Sequence, residues 1–336
     1  MIAGNLCAPS GGLRMVAFSR VFDVVVFGAG YAGFAAAMRL SGAGRSVLLT
    51  DLRGDLLWES GRAFQNATGP WTPEFRLLSD CLLRITGITD EWFDGGTTEL
   101  VANELVRDAR LPLLYYAAPF AFERDGDNLA AVIVATKGGL RRIVARQWID
   151  ATEAGTVARL ITPALQPRQP TCLKAAVMLQ RLRWPDAETV SLDVPELPGN
   201  SVLWAPTHWA SERAIRIEMP GDEPRFLRTI VPALRALRAR LGAGCDDAFV
   251  SHVSFEPYPV YEGTCAAVSP APNLALATPA FATDAVRTLV ERFELGLSAA
   301  GELPDRPACE AGERLLRRSL PRPADMRNTT ADVAVA

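Results

Sequence analysis

The stretch that decides the fold reads Phe22-Asp23-Val24-Val25-Val26-Phe27-Gly28-Ala29-Gly30-Tyr31-Ala32-Gly33-Phe34-Ala35-Ala36-Ala37-Met38-Arg39-Leu40, and continues through Gly42 and Gly44 to Ser46-Val47-Leu48-Leu49-Thr50-Asp51. Phe22 to Phe27 is short, unbroken and rich in β-branched residues, the pattern of a strand buried on both faces of a parallel sheet. The alanine-rich run from Phe34 to Leu40 predicts a helix, the glycines stop it, and Ser46 to Thr50 predicts a second strand. Between the first strand and the helix stands G-x-G-x-x-G. Gly28 permits a tight turn, Gly30 lets backbone approach a pyrophosphate, and Gly33 lets helix and strand pack closely. Phosphates bind at such a helix start because its N–H groups are free and the positive end of the macrodipole lies there. Asp51, eighteen residues after Gly33 at the end of the second strand, suits ribose hydroxyls and disfavours a 2′-phosphate. A lone glycine motif also describes a turn without a ligand. Here strand, glycines, helix, second strand and acid agree, so the unit is expected to hold an ADP moiety, shared by FAD and NAD.

Working outward, the chain has 336 residues, is 49% hydrophobic and carries a formal net charge of -3, enough to bury a large core. Nothing in that charge suggests nucleic acid or an anionic membrane as partner. Nearly all positive charge is arginine, with only Lys137 and Lys174 supplying lysine. The six cysteines are scattered, without C-x-x-C spacing or clustering with His208 and His252, so no metal site is expected. Residues 1–20 lack the apolar core of a secretory signal, and no window approaches a membrane span. A cytoplasmic setting is the expectation, with residues 1–20 as a flexible N-terminal segment and 303–336 as a C-terminal helix and tail.

After Asp51 the regular βα alternation stops. Leu113-Leu114-Tyr115-Tyr116, Phe120-Ala121-Phe122-Glu123, Ala130 to Val134 and Arg142 to Ala145 predict a β-meander with turns at Asp125-Gly126-Asp127 and Lys137-Gly138-Gly139. Gln147 to Asp150 then predicts a strand that ends in the small-residue turn Ala151-Thr152-Glu153-Ala154-Gly155. Further strands are expected at 175–182, 201–205, 214–219 and 249–255, with a helix over 225–241.

On the first βαβ unit, the meander and Asp150-Ala151-Thr152, the chain resembles the FAD-dependent oxidoreductases of the glutathione-reductase-like superfamily, over roughly residues 22–160 and 262–302. The family's last FAD segment, a strand and then a helix, is resembled by Asn273 to Pro279 and a helix from about Thr283 through Leu297, for which Thr283 suits the cap and Asp284 the first turn. Glu153 stands where that family has glycine, and the glycine or aspartate usual near Thr283 is missing. The resemblance implies FAD rather than NAD. It also implies an α/β fold in which a Rossmann-like FAD-binding domain with a β-meander insertion, residues 21–160 and 262–302, joins a smaller α+β substrate or cap domain at 161–261. Cofactor contacts are expected from Gly28, Ala29, Gly30, Tyr31, Ala32, Gly33, Asp51, Leu52, Arg53, Glu59, Arg62, Phe120, Ala151, Thr152, Pro279 and Thr283.

The chemistry is narrowed by what is missing. Leu52 to Ala63 holds no cysteine pair, which excludes disulfide reduction, and no second complete glycine motif offers a pyridine-nucleotide domain. The Gly-Asp of aromatic hydroxylases and the C-terminal histidine of choline-oxidase-type enzymes are also missing, which makes both minority readings. What remains is oxidation or reduction of a small organic substrate at flavin N5, with oxygen or an external carrier taking electrons and homo- or hetero-oligomers allowed. Glu59, His208 and Tyr258 are the candidate catalytic groups: Glu59 suits ribityl hydroxyls or a substrate amine, His208 and also His252 suit a general base, and Tyr258 with Tyr261 suits the lining of a pocket, each with a plain structural alternative. Arg62 suits a phosphate clamp or a surface ion pair. Trp58 suits a cofactor contact or the core. Two other functions stay open: a non-catalytic or auxiliary FAD-binding subunit, motivated by the altered turn, and an NAD-binding protein using the first motif alone.

Overall fold

The computed structural model describes residues 15–18, 20–66, 68–86, 94–181, 189–194, 201–207, 209, 212–222, 227–265 and 268–303. Two sheets organise it. The first runs β1 (Met15–Ala17), β2 (Phe22–Phe27), β3 (Val47–Thr50), β4 (Leu113–Leu114), β5 (Ala118–Asp125), β6 (Asn128–Thr136) and β7 (Gly139–Asp150), and is joined late in the chain by a short strand at Leu274–Leu276. Its order is β4-β3-β2-β7-β6-β5. β2 pairs in parallel with β3 on one side and with β7 on the other. Helices α1 (Tyr31–Gly42), α2 (Trp58–Gly61), α3 (Arg76–Thr86) and α4 (Gly95–Asp108) fill the connections, and α5 (Thr156–Ile161) follows β7. The fold class is therefore α/β with a Rossmann-like unit, as the β2–α1–β3 pattern requires.

β2 is buried on both faces. Val24 and Val26 join the core under α1, while Val25 and Phe27 join the one under the meander. Each such fully buried side chain contributes about 1.5–3 kcal/mol. α1 closes against a C-terminal helix so tightly that a Cβ on Gly296 would lie 1.9 Å from the Ala32 carbonyl oxygen. A side chain there would force the two helices apart.

The second sheet consists of β8 (Cys172–Gln180), β9 (Val190–Leu192), β10 (Ser201–Pro206), β11 (Glu212–Pro220), β12 (Phe249–Val253) and β13 (Tyr258–Val260), ordered β12-β8-β11-β10-β9 with β13 also on β8. Helix α6 (Leu227–Leu241) covers one face. The chain then returns to the first sheet through β14 (Leu274–Leu276), which pairs in parallel with β7, and ends the described residues with α7 (Leu289–Glu302). No helix among the described residues is long and apolar enough to cross a membrane.

Four sequence expectations are corrected. Arg142–Ala145 and Gln147–Asp150 are one strand: β7 pairs antiparallel with β6 through its first half and parallel with β2 through its second. Leu113-Leu114 belongs to the parallel edge, paired with Leu49 and Thr50, and not to the meander. α7 begins at Leu289 and not near Thr283, because Thr288 and Glu291 form a reciprocal capping box. Two helices, α3 and α4, fill a stretch in which no element was expected. Residues 1–14 and 304–336, and with them the expected terminal segments, lie largely outside the described residues.

Asn273 locks β14 to the long strand. Its amide donates to the carbonyls of Leu129 and Arg146 at 2.8 and 2.9 Å, and its oxygen accepts from Leu129 N at 2.8 Å. Asn273→Leu strands these backbone groups and is expected to cost about 2–4 kcal/mol. A lowered urea midpoint with an unchanged slope measures it.

Candidate cofactor site

The β2–α1 turn has the backbone that a dinucleotide seat needs. Gly28 has φ +97°, and a Cβ on it would lie 2.4 Å from the Ala151 carbonyl oxygen; on Gly33 it would lie 1.7 Å from the Gly28 oxygen. Only glycine fits either place. Asp51 ends β3 and accepts from Ala29 N at 2.5 Å and Arg53 N at 2.6 Å. Burial pushes its carboxyl up, opposed by those two amides. Ala151 and Thr152 close the seat from β7. Asp150, completely buried, accepts from Thr152 N and Oγ1 and from Ala158 N, fixing that turn to the start of α5.

All six residues from Gly28 to Gly33 are buried, and protein covers them. Leu57 N donates to the Ala29 carbonyl at 2.9 Å, and Leu57 itself, fully buried, has φ 52°, a left-handed backbone that a leucine adopts only under constraint. That geometry launches α2 across the loop. Glu59 then aims its carboxylate at the start of α1, accepting from Tyr31 N at 3.1 and 3.3 Å. The Tyr31 hydroxyl meets Ser60 Oγ at 2.8 Å, and its ring stacks on Phe75.

Behind Glu59 lies Arg292, 1% exposed in the first turn of α7. Its guanidinium donates to Glu153 at 2.5 and 2.9 Å, to Tyr258 Oη at 3.0 Å and to the Pro259 carbonyl at 2.8 Å, and stands 3.6 Å from Glu59 Oε1. Glu153, the residue in place of a glycine, is thus bound to α7. One guanidinium facing two carboxylates leaves a spare negative charge in a dry place. Desolvation accordingly pushes Glu59 up to about 7, and Arg292 only partly opposes it. Burial also holds the Tyr258 hydroxyl far above neutrality.

The other expected site residues scatter. Arg53 lies over Trp58 at 4.4 Å and reaches from Asp51, 3.8 Å away, to Glu256, onto which it forks, while Arg62 pairs with Asp55 and with Glu256 and turns toward the second sheet. Leu52 is exposed. Phe120 is half exposed at a bulge in β5; Ala117, which donates to the Asp51 carbonyl at 2.9 Å, is the meander residue that meets the seat. Pro279 is buried in a single 3₁₀ turn, and Thr283 is exposed ahead of α7 and caps nothing. His208 lies outside the described residues. His252 is exposed beside the Phe64 ring. Sequence reasoning missed Arg292, although a lone arginine on the apolar face formed by Leu289, Phe293 and Gly296 is the signal that marks it.

The backbone of this seat fits the ADP half of FAD. The Glu59 side chain takes the amide that a pyrophosphate would use.

Comparison with known proteins agrees on the frame. Residues 23–162 match the family described as FAD dependent oxidoreductase. No curated protein sequence matches. Among solved structures, a geranylgeranyl bacteriochlorophyll reductase-like protein from Thermoplasma acidophilum superposes with a TM-score of 0.60 at 12% identity, over 86% of this chain and 78% of its own. A flavoprotein/dehydrogenase from Cytophaga hutchinsonii gives 0.58 at 14%, over 84% and 77%. PqsL, a probable FAD-dependent monooxygenase from Pseudomonas aeruginosa, gives 0.56 at 15%, over 89% and 90%. At these identities the likeness is one of fold.

Arg292→Met leaves the buried Glu59 and the part-buried Glu153 without their shared cation and is expected to cost about 3–5 kcal/mol, partly recovered by adding Glu59→Gln. The pH dependence has a definite sign. Glu59 binds its proton more tightly folded than unfolded, so its favourable contribution is complete below pH 4.5 and is lost as pH rises through about 7. Thermal melts of wild type against Glu59→Gln should show wild type losing ground across that window.

Proposed function

We propose that this FAD-dependent oxidoreductase oxidises or reduces a small, anion-bearing organic substrate by hydride transfer at flavin N5, with oxygen or an external carrier exchanging the electrons. The observation that carries the redox reading is the β2–α1 seat, with Asp51 at its ribose end, built beside a strand that continues into a β-meander. That combination also supports membership of the glutathione-reductase-like superfamily. Bound FAD supplies the hydride acceptor or donor. The protein supplies the seat: glycine backbone for the pyrophosphate, Asp51 for the ribose, and the Ala151-Thr152 turn against the loop.

The first sheet and its returning segment 262–302 serve as the cofactor domain in this proposal, and 161–261 as the substrate domain. Ser254, completely buried, joins them by donating to the Ala63 carbonyl at 3.0 Å. Beside it the loop 63–66 and the sheet face of β8, β10 and β11 enclose a cavity lined by Phe64, Asn66, Lys174, Leu203, Arg216 and Glu218. Lys174 pairs with Glu218 at 3.0 Å, and the part-buried Arg216, which burial pulls down to about 10, brings a second cation to the same lining. The buried Asn66 Oδ1 has no donor. A substrate bearing a carboxylate or phenolate toward Arg216 and a hydroxyl or amine toward Asn66 matches this lining. Small organic ligands occur in two similar folds: aklavinone in a hydroxylase solved with FAD, and 2-aminobenzoylacetate in PqsL.

A second reading, an auxiliary flavoprotein subunit without catalysis, is favoured by the buried state of the glycine loop. Purified protein is expected to carry or take up flavin, seen as its visible absorption bands, and to bleach anaerobically with members of a panel of hydroxy acids, amino acids and phenols. Flavin that binds and never bleaches would establish the auxiliary reading. A protein that binds NADH and no flavin would sink both. Arg216→Ala is expected to raise KM for the bleaching acid about tenfold or more with little change in flavin content.

A further inference from the structure

We infer that Glu59 is a built-in stand-in for the cofactor's pyrophosphate: it occupies the anion seat at the start of α1, and FAD loading requires its carboxylate to be neutralised as α2 opens. The inference rests on FAD being the cofactor and concerns how the seat is opened. Four observations converge. Both Glu59 oxygens face the Tyr31 amide. Gly30, whose missing side chain lets a phosphate approach the backbone, uses that freedom for Glu59 instead: a Cβ there would lie 2.4 Å from Glu59 Oε1. The carboxylate is 1% exposed and closes the loop from solvent. Its ion-pair distance to Arg292, 3.6 Å, is much longer than the 2.5 Å contact of Glu153, so Arg292 stays paired when Glu59 leaves.

A diphosphate diester brings two negative charges to this helix end. An ionised Glu59 cannot share the site with them, since like charges within a few ångströms in a dry environment repel strongly. The groups facing Glu59 are Tyr31 from α1, Arg292 from α7, Glu153 from the turn after β7, Tyr258 from β13 and Arg53 from the segment after β3. Of these, the Tyr31 and Tyr258 hydroxyls are held above their ordinary range and the two arginines stay charged, and Glu59 itself is placed to titrate near neutrality. The mechanical means of opening is also present. α2 is only four residues long, follows the left-handed Leu57 and ends at Gly61, so swinging it outward releases backbone strain.

The test is equilibrium binding of FAD, ADP and adenosine to the flavin-stripped full chain, followed by fluorescence quenching for FAD and by calorimetry for the other two. Wild type should bind FAD and ADP about tenfold more weakly for each pH unit above about 7, because one proton is taken up on binding. Glu59→Gln, which keeps the size and the acceptor for Tyr31 N, should remove that slope. Glu59→Ala should bind both ligands at least about tenfold tighter than wild type a unit above that pH. Adenosine, without phosphates, should respond to neither pH nor substitution. Wild-type binding that is flat with pH, or variants that bind no tighter than wild type, overturns the stand-in while leaving FAD as cofactor. If neither wild type nor any variant binds FAD or ADP, the cofactor reading falls and the stand-in falls with it.

Discussion

A single buried guanidinium holds the molecule's parts in register. Arg292 reaches from α7 to the turn after β7 through Glu153, to β13 of the second sheet through Tyr258 and Pro259, and toward α2 through Glu59. A planar, permanently charged group with donors on both sides is suited to that task, and lysine would not be. Its cost is desolvation, which is offset only if its partners stay in place. The turn after β7, α2, β13 and α7 are therefore positioned together.

The consequence for the cofactor seat is a competition. Glycines at 28, 30 and 33 shape a backbone that accepts an anion, and the anion placed there is one of the protein's own carboxylates. Glu153 and Glu59 share one cation, so the weaker-held Glu59 carries the surplus charge. An unusual residue in the turn after β7 thus bears on the affinity of the start of α1 through Arg292, a chain of contiguous contacts.

β7 plays the corresponding part for the fold. Its first half serves the meander and its second half serves the parallel sheet, so no turn separates the two. Trp148, completely buried in the parallel half, stacks near Phe27 and donates to the Leu129 carbonyl at 2.8 Å, which ties that half of the strand back to β6. In the sequence, the polar Arg146 and Gln147 interrupt the apolar pattern and suggest a boundary. In the fold these residues are tied across strands, Arg146 to Asp23 at 2.7 Å and Gln147 to Arg45.

The β2–α1–β3 unit was legible from residues 22–51 because burial on both faces, helix propensity and glycine geometry are local properties that a short window displays. Four strands of the second sheet, β8, β10, β11 and β12, were legible for the same reason, as was the helix over 225–241, observed as Leu227–Leu241; the three-residue β9 and β13 were too short to show a pattern. α4 was not, since it opens on Gly95-Gly96-Thr97-Thr98, poor helix formers that only packing organises; α3 carries Leu78, Leu82 and Ile85 at helical spacing, a local signal that no expectation used. The start of α7 was misplaced because two threonines, Thr283 and Thr288, both suit a cap, and only Thr288 has Glu291 three residues on to complete the box. By itself, then, the sequence determined that an ADP-type seat exists and which backbone atoms shape it. Tertiary structure alone decided that Glu59 sits in that seat, that Arg292 and Glu153 hold the wall behind it, and that Arg53 and Arg62 both reach Glu256. Those outcomes depend on charges brought together from residues more than a hundred positions apart, whose burial and mutual distances no local pattern encodes.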